Sequence, residues 1–289
     1  MPALHRAALS ILLGTMLCAP ALAAGEPAIA AKASTALPGV SLLGDPVAMP
    51  GLERKRQLRL YLPPGYASSG KRYPVLYMHD GQNLFDVASA FSGEWRVDET
   101  LDALAREGRL ELIVVGIDNG GDKRLTELNA WDHEQFGKGE GRAYTDFIVN
   151  TVKPMIDRQY RTLPGRAHTA IMGSSMGGLA SHYALVQYPE VFGKAGVFSP
   201  AYWTAQPVFG FVSGKPVPKD ARLYLLMGGK EGAQMNADVQ RMAQVIRQTG
   251  HPAGNTVLKS VPGAEHNEAF WSGELREALL WMFAAGESR

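Results

Sequence analysis

The stretch Ala170-Ile171-Met172-Gly173-Ser174-Ser175-Met176-Gly177-Gly178 sets two serines among three glycines. Only one register reads G-x-S-x-G, with Ser175 at its centre, because Ser174 has Met172 two residues before it. The pattern suits a strand that turns sharply into a helix: backbones two before and two after the serine come close, so those positions must be small. A serine hydroxyl is a poor nucleophile at neutral pH. It needs a base to take its proton and a carboxylate to orient the base. Chains built on such an elbow carry these groups in the order Ser, acid, His. His266 is the expected base, since Pro262-Gly263-Ala264-Glu265-His266-Asn267-Glu268 lies between the last strand pattern and the last helix pattern. His251, beside Pro252 at the end of a helix pattern, is the other histidine late enough in the chain. Glu231, which follows Leu223–Met227 through Gly228-Gly229-Lys230, is the expected acid, with Asp238 further along as the reserve. Glu265 and Glu268 stand too near His266 in sequence to be first choices.

Acyl transfer through a serine also needs N–H donors aimed at the developing oxyanion. Met176, directly after the nucleophile, supplies one. The loop His79-Asp80-Gly81-Gln82-Asn83, after the strand pattern Val75–Met78, supplies the other, with Gln82 as the expected donor. His79 and Asp80 could form half of a metal site, but no third and fourth ligand stand at metal-like spacing. Neither a metal nor a cofactor is expected, and His79 and Asp80 read as strand-end braces.

The elements that must position these groups show in the hydrophobic pattern. Val75–Met78, Leu112–Ile117, Ala170–Met172, Ala195–Phe198 and Leu223–Met227 are short, nearly continuous apolar runs, as in strands covered on both faces. Arg56–Leu62 alternates polar with apolar and predicts a half-exposed strand, ended by Pro63-Pro64-Gly65. Thr256–Val261 is the last strand pattern. Helical patterns cover Val97–Arg106, Tyr144–Tyr160, Leu179–Gln187, Ala237–Gln248 and Leu275–Ala284, and Pro154 predicts a kink or break in the second. The alternation predicts an α/β fold with a mostly parallel central sheet and helices on both faces. Chemistry is then expected in the loops that leave the carboxyl ends of the strands.

Of 289 residues, 46% are hydrophobic and 20% charged, enough for one full-sized core. Lys and Arg number 29 against 28 Asp and Glu, with no long charge run, so the electrostatic footprint of a nucleic-acid or anionic-membrane binder is missing. Residues 1–24 read as a secretory signal peptide: Arg6, an apolar run Ala7–Ala19, and small residues around Ala21-Leu22-Ala23-Ala24. The only cysteine, Cys18, lies inside that segment. Cleavage leaves a chain without disulfides or thiolate nucleophiles, in keeping with a periplasmic or secreted protein that has no stable membrane insertion. Residues 25–50, rich in Ala, Pro, Gly and Ser, read as a linker or N-terminal edge segment before a domain over 51–289.

With PVLYMHDGQNLFD, GSSMGGLASHYALVQYPEVFGKAGVFSPAYW, GGKEG and GAEHNEAFW in this order, the sequence resembles the putative-esterase family of α/β-hydrolases over about residues 50 to 285. That family includes enterochelin, feruloyl and acetylxylan esterases, S-formylglutathione hydrolase and the antigen 85 mycolyltransferases. The resemblance implies an α/β-hydrolase fold and carries over Ser175 as nucleophile, His266 as base, Glu231 as acid, and Gln82 and Met176 as oxyanion donors. It implies a serine esterase working through an acyl-enzyme on a small-molecule or sugar-linked ester, and the signal-peptide pattern makes it a secreted one. An acyltransferase would share every residue, and a glycan- or siderophore-binding module without catalysis would have no need of the intact set. The long polar loop Asp118–Arg142 is a candidate lid or substrate contact through Arg124, Glu127 and Trp131, and Tyr202 and Trp203 are candidate pocket walls. A neutral ester fits this chain better than a strongly anionic one.

Overall fold

The computed structural model describes residues 32–284. The signal peptide expected at 1–24, with Cys18, lies outside them. Strands β1 (Val40–Leu42), β2 (Val47–Met49), β3 (Arg54–Arg56), β4 (Leu58–Tyr61) and β5 (Val75–His79) come first, followed by helix α1 (Val97–Arg106) and β6 (Ile113–Ile117). A short α2 (Arg124–Glu127), α3 (Gly141–Phe147) and α4 (Lys153–Gln159) lead to β7 (Thr169–Ser174), α5 (Met176–Gln187) and β8 (Lys194–Phe198). Then come α6 (Pro207–Gly214), β9 (Arg222–Gly228), α7 (Ala233–Gln248), β10 (Thr256–Val261) and α8 (Glu268–Phe283). Eight strands form one sheet in the order β1-β4-β6-β5-β7-β8-β9-β10, and β2 pairs with β3 apart from it. From β6 to β10 every pairing is parallel; β4 and β1 run antiparallel at one edge. This is the α/β-hydrolase type of fold.

The central strands read as unbroken apolar runs because successive side chains feed two different cores. Val75 and Tyr77 of β5, Ile171 of β7 and Leu223, Leu225 and Met227 of β9 join one cluster, under α3 to α7. Leu76 and Met78, Ala170 and Met172, and Tyr224 and Leu226 join the other, under α1 and α8. Each fully buried side chain of this size contributes about 1.5–3 kcal/mol, so both faces resist exposure. The helix expected over Tyr144–Tyr160 is one path in three parts: α3, a π-helical turn over Ile148–Val152, and α4 with Pro154 in its first turn. A proline there has no N–H to donate, and the widened turn ahead of it absorbs the mismatch that would otherwise break the helix.

Within the 25–50 stretch, expected as a linker or N-terminal edge segment, the compact unit takes in the chain from Lys32 on, and β1 forms the edge strand of the sheet. Ser34 and Thr35 bond Asp86 at 2.8 and 3.1 Å, the Leu37 N–H donates to Asp98 at 2.9 Å, and β1 pairs with β4. Three-residue strands in an Ala- and Pro-rich stretch are too short to show a period, so the sequence pattern alone does not separate linker from edge strand.

Candidate active site

Strand order decides which loops meet. Strands β5, β7, β8, β9 and β10 lie side by side and parallel, so the loops after their carboxyl ends line up along one edge of the sheet. After β7 the chain turns at Ser175, whose φ of 56° and ψ of −119° are positive-φ geometry for a residue with a side chain. Such a conformation costs about 1–3 kcal/mol and is held here by its neighbours. The Ser175 N–H donates to the Phe198 carbonyl at 2.9 Å, and its own carbonyl accepts from Leu179 and Ala201 at 3.1 and 3.0 Å. A Cβ on Gly173 would stand 2.9 Å from the Gly177 carbonyl carbon and 2.9 Å from His79 Cδ2. Gly173 is therefore required by backbone contact, and Gly177 by the His79 side chain, whose Cβ would stand 3.0 Å from a Cβ there.

Gly228 at the end of β9 is in register with Val261 at the end of β10. The loops that follow are sewn together by Gly229 N–H to Val261 O at 2.8 Å and Lys230 N–H to Ala264 O at 3.0 Å. This sets His266 Nδ1 2.7 Å from Glu231 Oε2. The imidazole is 34% exposed while the Glu231 side chain is fully buried. A buried carboxylate must have its oxygens satisfied. Glu231 Oε1 accepts from the Gly228 N–H at 2.8 Å and from Ser199 Oγ at 2.6 Å, and Ser199 Oγ in turn accepts from Trp271 Nε1 at 2.9 Å. Trp271 also packs edge-on against His266, ring centres 4.9 Å apart. Ser199, buried at a positive φ of 43° after β8, and Trp271 on α8 lie inside the quoted family-like segments, but nothing in the sequence marks either as a partner of the Glu231–His266 pair.

Ser175, His266 and Trp271 line one cavity of about 190 Å³ with Asp80, Asn83, Phe91, Ser92, Trp95, Arg124, Ser174 and Glu268. Asp80 stands at φ 55°, ahead of a 3-10 turn over Gly81–Asn83 that carries Gln82. Burial pushes the Asp80 carboxyl up, but the Arg124 charge, its two hydrogen bonds and one from Asn119 outweigh this and hold it below the usual carboxylate range. Arg124 grips it with Nε to Oδ1 at 2.6 Å and Nη2 to Oδ2 at 2.9 Å. Gln82 is half-buried, and its side-chain Oε1 accepts from the Asn119 N–H at 3.0 Å, which fixes the loop whose N–H was expected to serve the oxyanion. Met176 N–H opens α5 beside Ser175.

Other expected residues go elsewhere. Asp238 lies buried on α7, with its charge felt by Tyr202, while His266 bonds Glu231. His251 bonds Thr256 at 2.8 Å and the Pro218 carbonyl at 3.1 Å and braces its own loop. Glu127 is fully buried against Arg56 at 2.5 Å and Arg54 at 3.3 Å, an ion-pair anchor of the 118–142 loop. Trp131 and Tyr202 do not reach the cavity, because each fills core space instead. Trp131 packs edge-on against Tyr183 and Phe211, and Tyr202 is fully buried with its hydroxyl 2.7 Å from His182 Nδ1. Trp203, 44% exposed, lines a separate depression with Asp132, His133 and Pro207. The aromatic walls of the cavity are Phe91, Trp95 and Trp271, which come from the 84–96 loop and α8. Three carboxylates, Glu94, Asp98 and Glu99, also converge within 4.8 Å, where Thr35 and Leu37 of the N-terminal segment dock on Glu94 and Asp98.

The family model described as Putative esterase matches residues 50–282. The chain belongs to this esterase family. It is similar to the uncharacterized protein YbbA of Bacillus subtilis, 27% identical over 248 residues that cover 81% of this chain and 94% of that protein. Among solved structures it is similar to the feruloyl esterase module of Clostridium thermocellum complexed with sinapinate, at 19% identity and TM-score 0.65, covering 88% of this chain and 92% of that one. It is also similar to the enterobactin esterase of Shigella flexneri in the presence of enterobactin, at 18% identity and TM-score 0.69, covering 86% of this chain and 60% of that one. At these identities the two structures speak for the fold of the esterase. No helix among the described residues is long and apolar enough to cross a membrane.

Proposed function

We propose that this member of the esterase family is an exported serine hydrolase that cleaves a small-molecule carboxylic ester through an acyl-enzyme. One observation carries the reading: Ser175, on a strained strand-to-helix turn, and His266, backed by the buried Glu231 at 2.7 Å, line the same cavity. Ser175 Oγ attacks the ester carbonyl while His266 Nε2 takes its proton, and the Met176 and Gln82 N–H groups receive the negative charge of the tetrahedral intermediate. The intermediate collapses, the C–O bond to the alcohol breaks, and His266 returns the proton to the leaving alkoxide. Water, deprotonated by His266, then attacks the acyl-enzyme and releases the acid and free Ser175. Glu231 accepts a hydrogen bond from Nδ1 throughout, which fixes the tautomer and balances the imidazolium charge.

Hydrolysis of p-nitrophenyl acetate and butyrate by the chain from residue 25 onward, beside its Ser175→Ala variant, tests the chemistry. Burst release of nitrophenol by the wild type and none by the variant is expected; equal turnover by both sinks the serine mechanism. Export is tested by expressing the full chain and reading the N-terminus of the product in the periplasm or medium. Cleavage near residue 24 is expected, and an intact N-terminus retained inside the cell overturns it.

A further inference from the structure

The charges that face the cavity are unequal in their commitments. Arg124 is the cation on the wall, and its fork is held by both oxygens of Asp80, so the two form a closed, neutral pair. Glu231 sits behind His266 with both oxygens engaged. Glu268, the first residue of α8, is different. It is 8% exposed and takes part in none of the ion pairs within 4.0 Å among the described residues. Its Oε1 accepts from Ser92 Oγ at 2.5 Å and Asn83 Nδ2 at 3.3 Å. Burial pushes the Arg124 pKa down, but Asp80 and, to a smaller degree, Glu268 hold it above its usual value, the latter with no ion pair within 4.0 Å.

The chain also reserves space for this carboxylate. Gly93 has a φ of 136°, and a Cβ there would stand 3.1 Å from Glu268 Cβ and 3.3 Å from Oε2. Among the described residues Ser92 and Asn83 meet only one of the two Glu268 oxygens, and the second is not sealed from the solvent of the cavity. The second oxygen can be met by a donor on a ligand, and its field repels a ligand carboxylate in a confined site.

We propose that Glu268 is a specificity-determining residue that makes the cavity a charge filter: it favours neutral or cationic esters and rejects esters bearing a second, ionised carboxylate. This rests on the serine esterase reading and adds the chemical class of its substrate. Three p-nitrophenyl esters of similar length test it: the hexanoate, the half-ester of adipate, and the 5-trimethylammoniopentanoate. In the wild type at low salt, kcat/KM for the adipate half-ester falls about tenfold below the hexanoate, and the cationic ester matches or exceeds the hexanoate. Raising NaCl to about 0.5 M narrows the gap, as expected of a charge effect. Glu268→Gln keeps an oxygen for Ser92 and Asn83 and removes the charge, so it raises the anionic-to-neutral ratio most of the way to unity. A wild type that turns over the half-ester as fast as the hexanoate overturns the filter, as does a salt-independent gap or a folded Glu268→Gln with the wild-type ratio. Should the variant not fold, the wild-type salt series decides alone. Turnover of none of the three esters by the wild type removes the esterase reading and the filter with it, a result distinct from equal turnover.

Discussion

His182 and His266 make hydrogen bonds of the same length through Nδ1, 2.7 Å each, and the partner makes the difference. His182 faces the Tyr202 hydroxyl inside the core, where burial pushes its pKa down to about 3. His79 faces Tyr144 at 2.9 Å and is held down to about 4, by burial first, with Asp80 pulling up and Arg124 pushing down. A phenol brings no charge, so neither buried ring can carry a second proton cheaply. His266 faces a carboxylate that is fully buried while its own ring stays 34% exposed on the cavity. That pairing can balance an imidazolium formed in mid-reaction and leaves the other ring nitrogen free to work. In the proposed mechanism the carboxylate-backed histidine moves the proton, while the tyrosine-backed ones brace the core.

The largest effect that could break this contrast is at the serine. Ser175→Ala should lower kcat on p-nitrophenyl butyrate by at least about 10⁴-fold, with residual turnover from the oxyanion donors and binding alone. Activity within tenfold of the wild type would place the nucleophile elsewhere. Next comes the carboxylate. Glu231→Gln should cost about 10²–10⁴ in kcat with a small change in KM, because the amide can donate to Nδ1 and favour the wrong tautomer. Asp238→Asn, on α7 away from His266, should cost less than about threefold. Reversal of that order would give the acid role back to Asp238. A smaller loss, about tenfold in kcat, is expected for Ser199→Ala, since Glu231 Oε1 would keep the Gly228 N–H and lose the hydroxyl at 2.6 Å. An unchanged kcat would show that Ser199 only packs.

The pieces of this arrangement were unequally legible in the sequence. The buried strands stood out because two cores claim alternate side chains, and α1 and β10 begin and end where the pattern set them. Ser175 and Glu231 follow the buried strands β7 and β9 and His266 follows the half-buried edge strand β10, and neighbouring parallel strands bring such loops together, so these candidates could be placed from the pattern. The walls of the cavity had no such rule. Asn83, Phe91, Ser92 and Trp95 sit on a loop whose path is fixed by the Asn83 carbonyl accepting from Trp95 N–H at 2.8 Å and by the contacts of Glu268, partners remote in sequence. Tyr202 and Trp131 carried the same aromatic signal as Trp95 and Trp271, and only packing separates a core aromatic from a pocket wall.

The smallest effect on activity, and the sharpest on the histidine comparison, is expected at His182. Its replacement by Gln should change kcat less than about threefold at pH 7, since His182 does not line the cavity and, among the described residues, its ring hydrogen-bonds Tyr202 alone. Stability should respond differently, and with pH. The unfolded chain binds a proton at this histidine below about pH 6.5, whereas the folded chain resists it until about pH 3. The unfolded state therefore holds more protons across that window, and the wild type loses stability as pH falls from about 6.5 toward 3, at up to about 1.4 kcal/mol per pH unit. Above the window the neutral ring carries no such penalty. The Gln variant, lacking the titrating group, should melt below the wild type at pH 7 and close part of that gap at pH 4.5, while His79 and the carboxylates contribute equally to both proteins. A melting-temperature gap that is the same at both pH values would mean that His182 can take up its proton in the fold, and the division between brace and base would have to rest on the position of His266 alone.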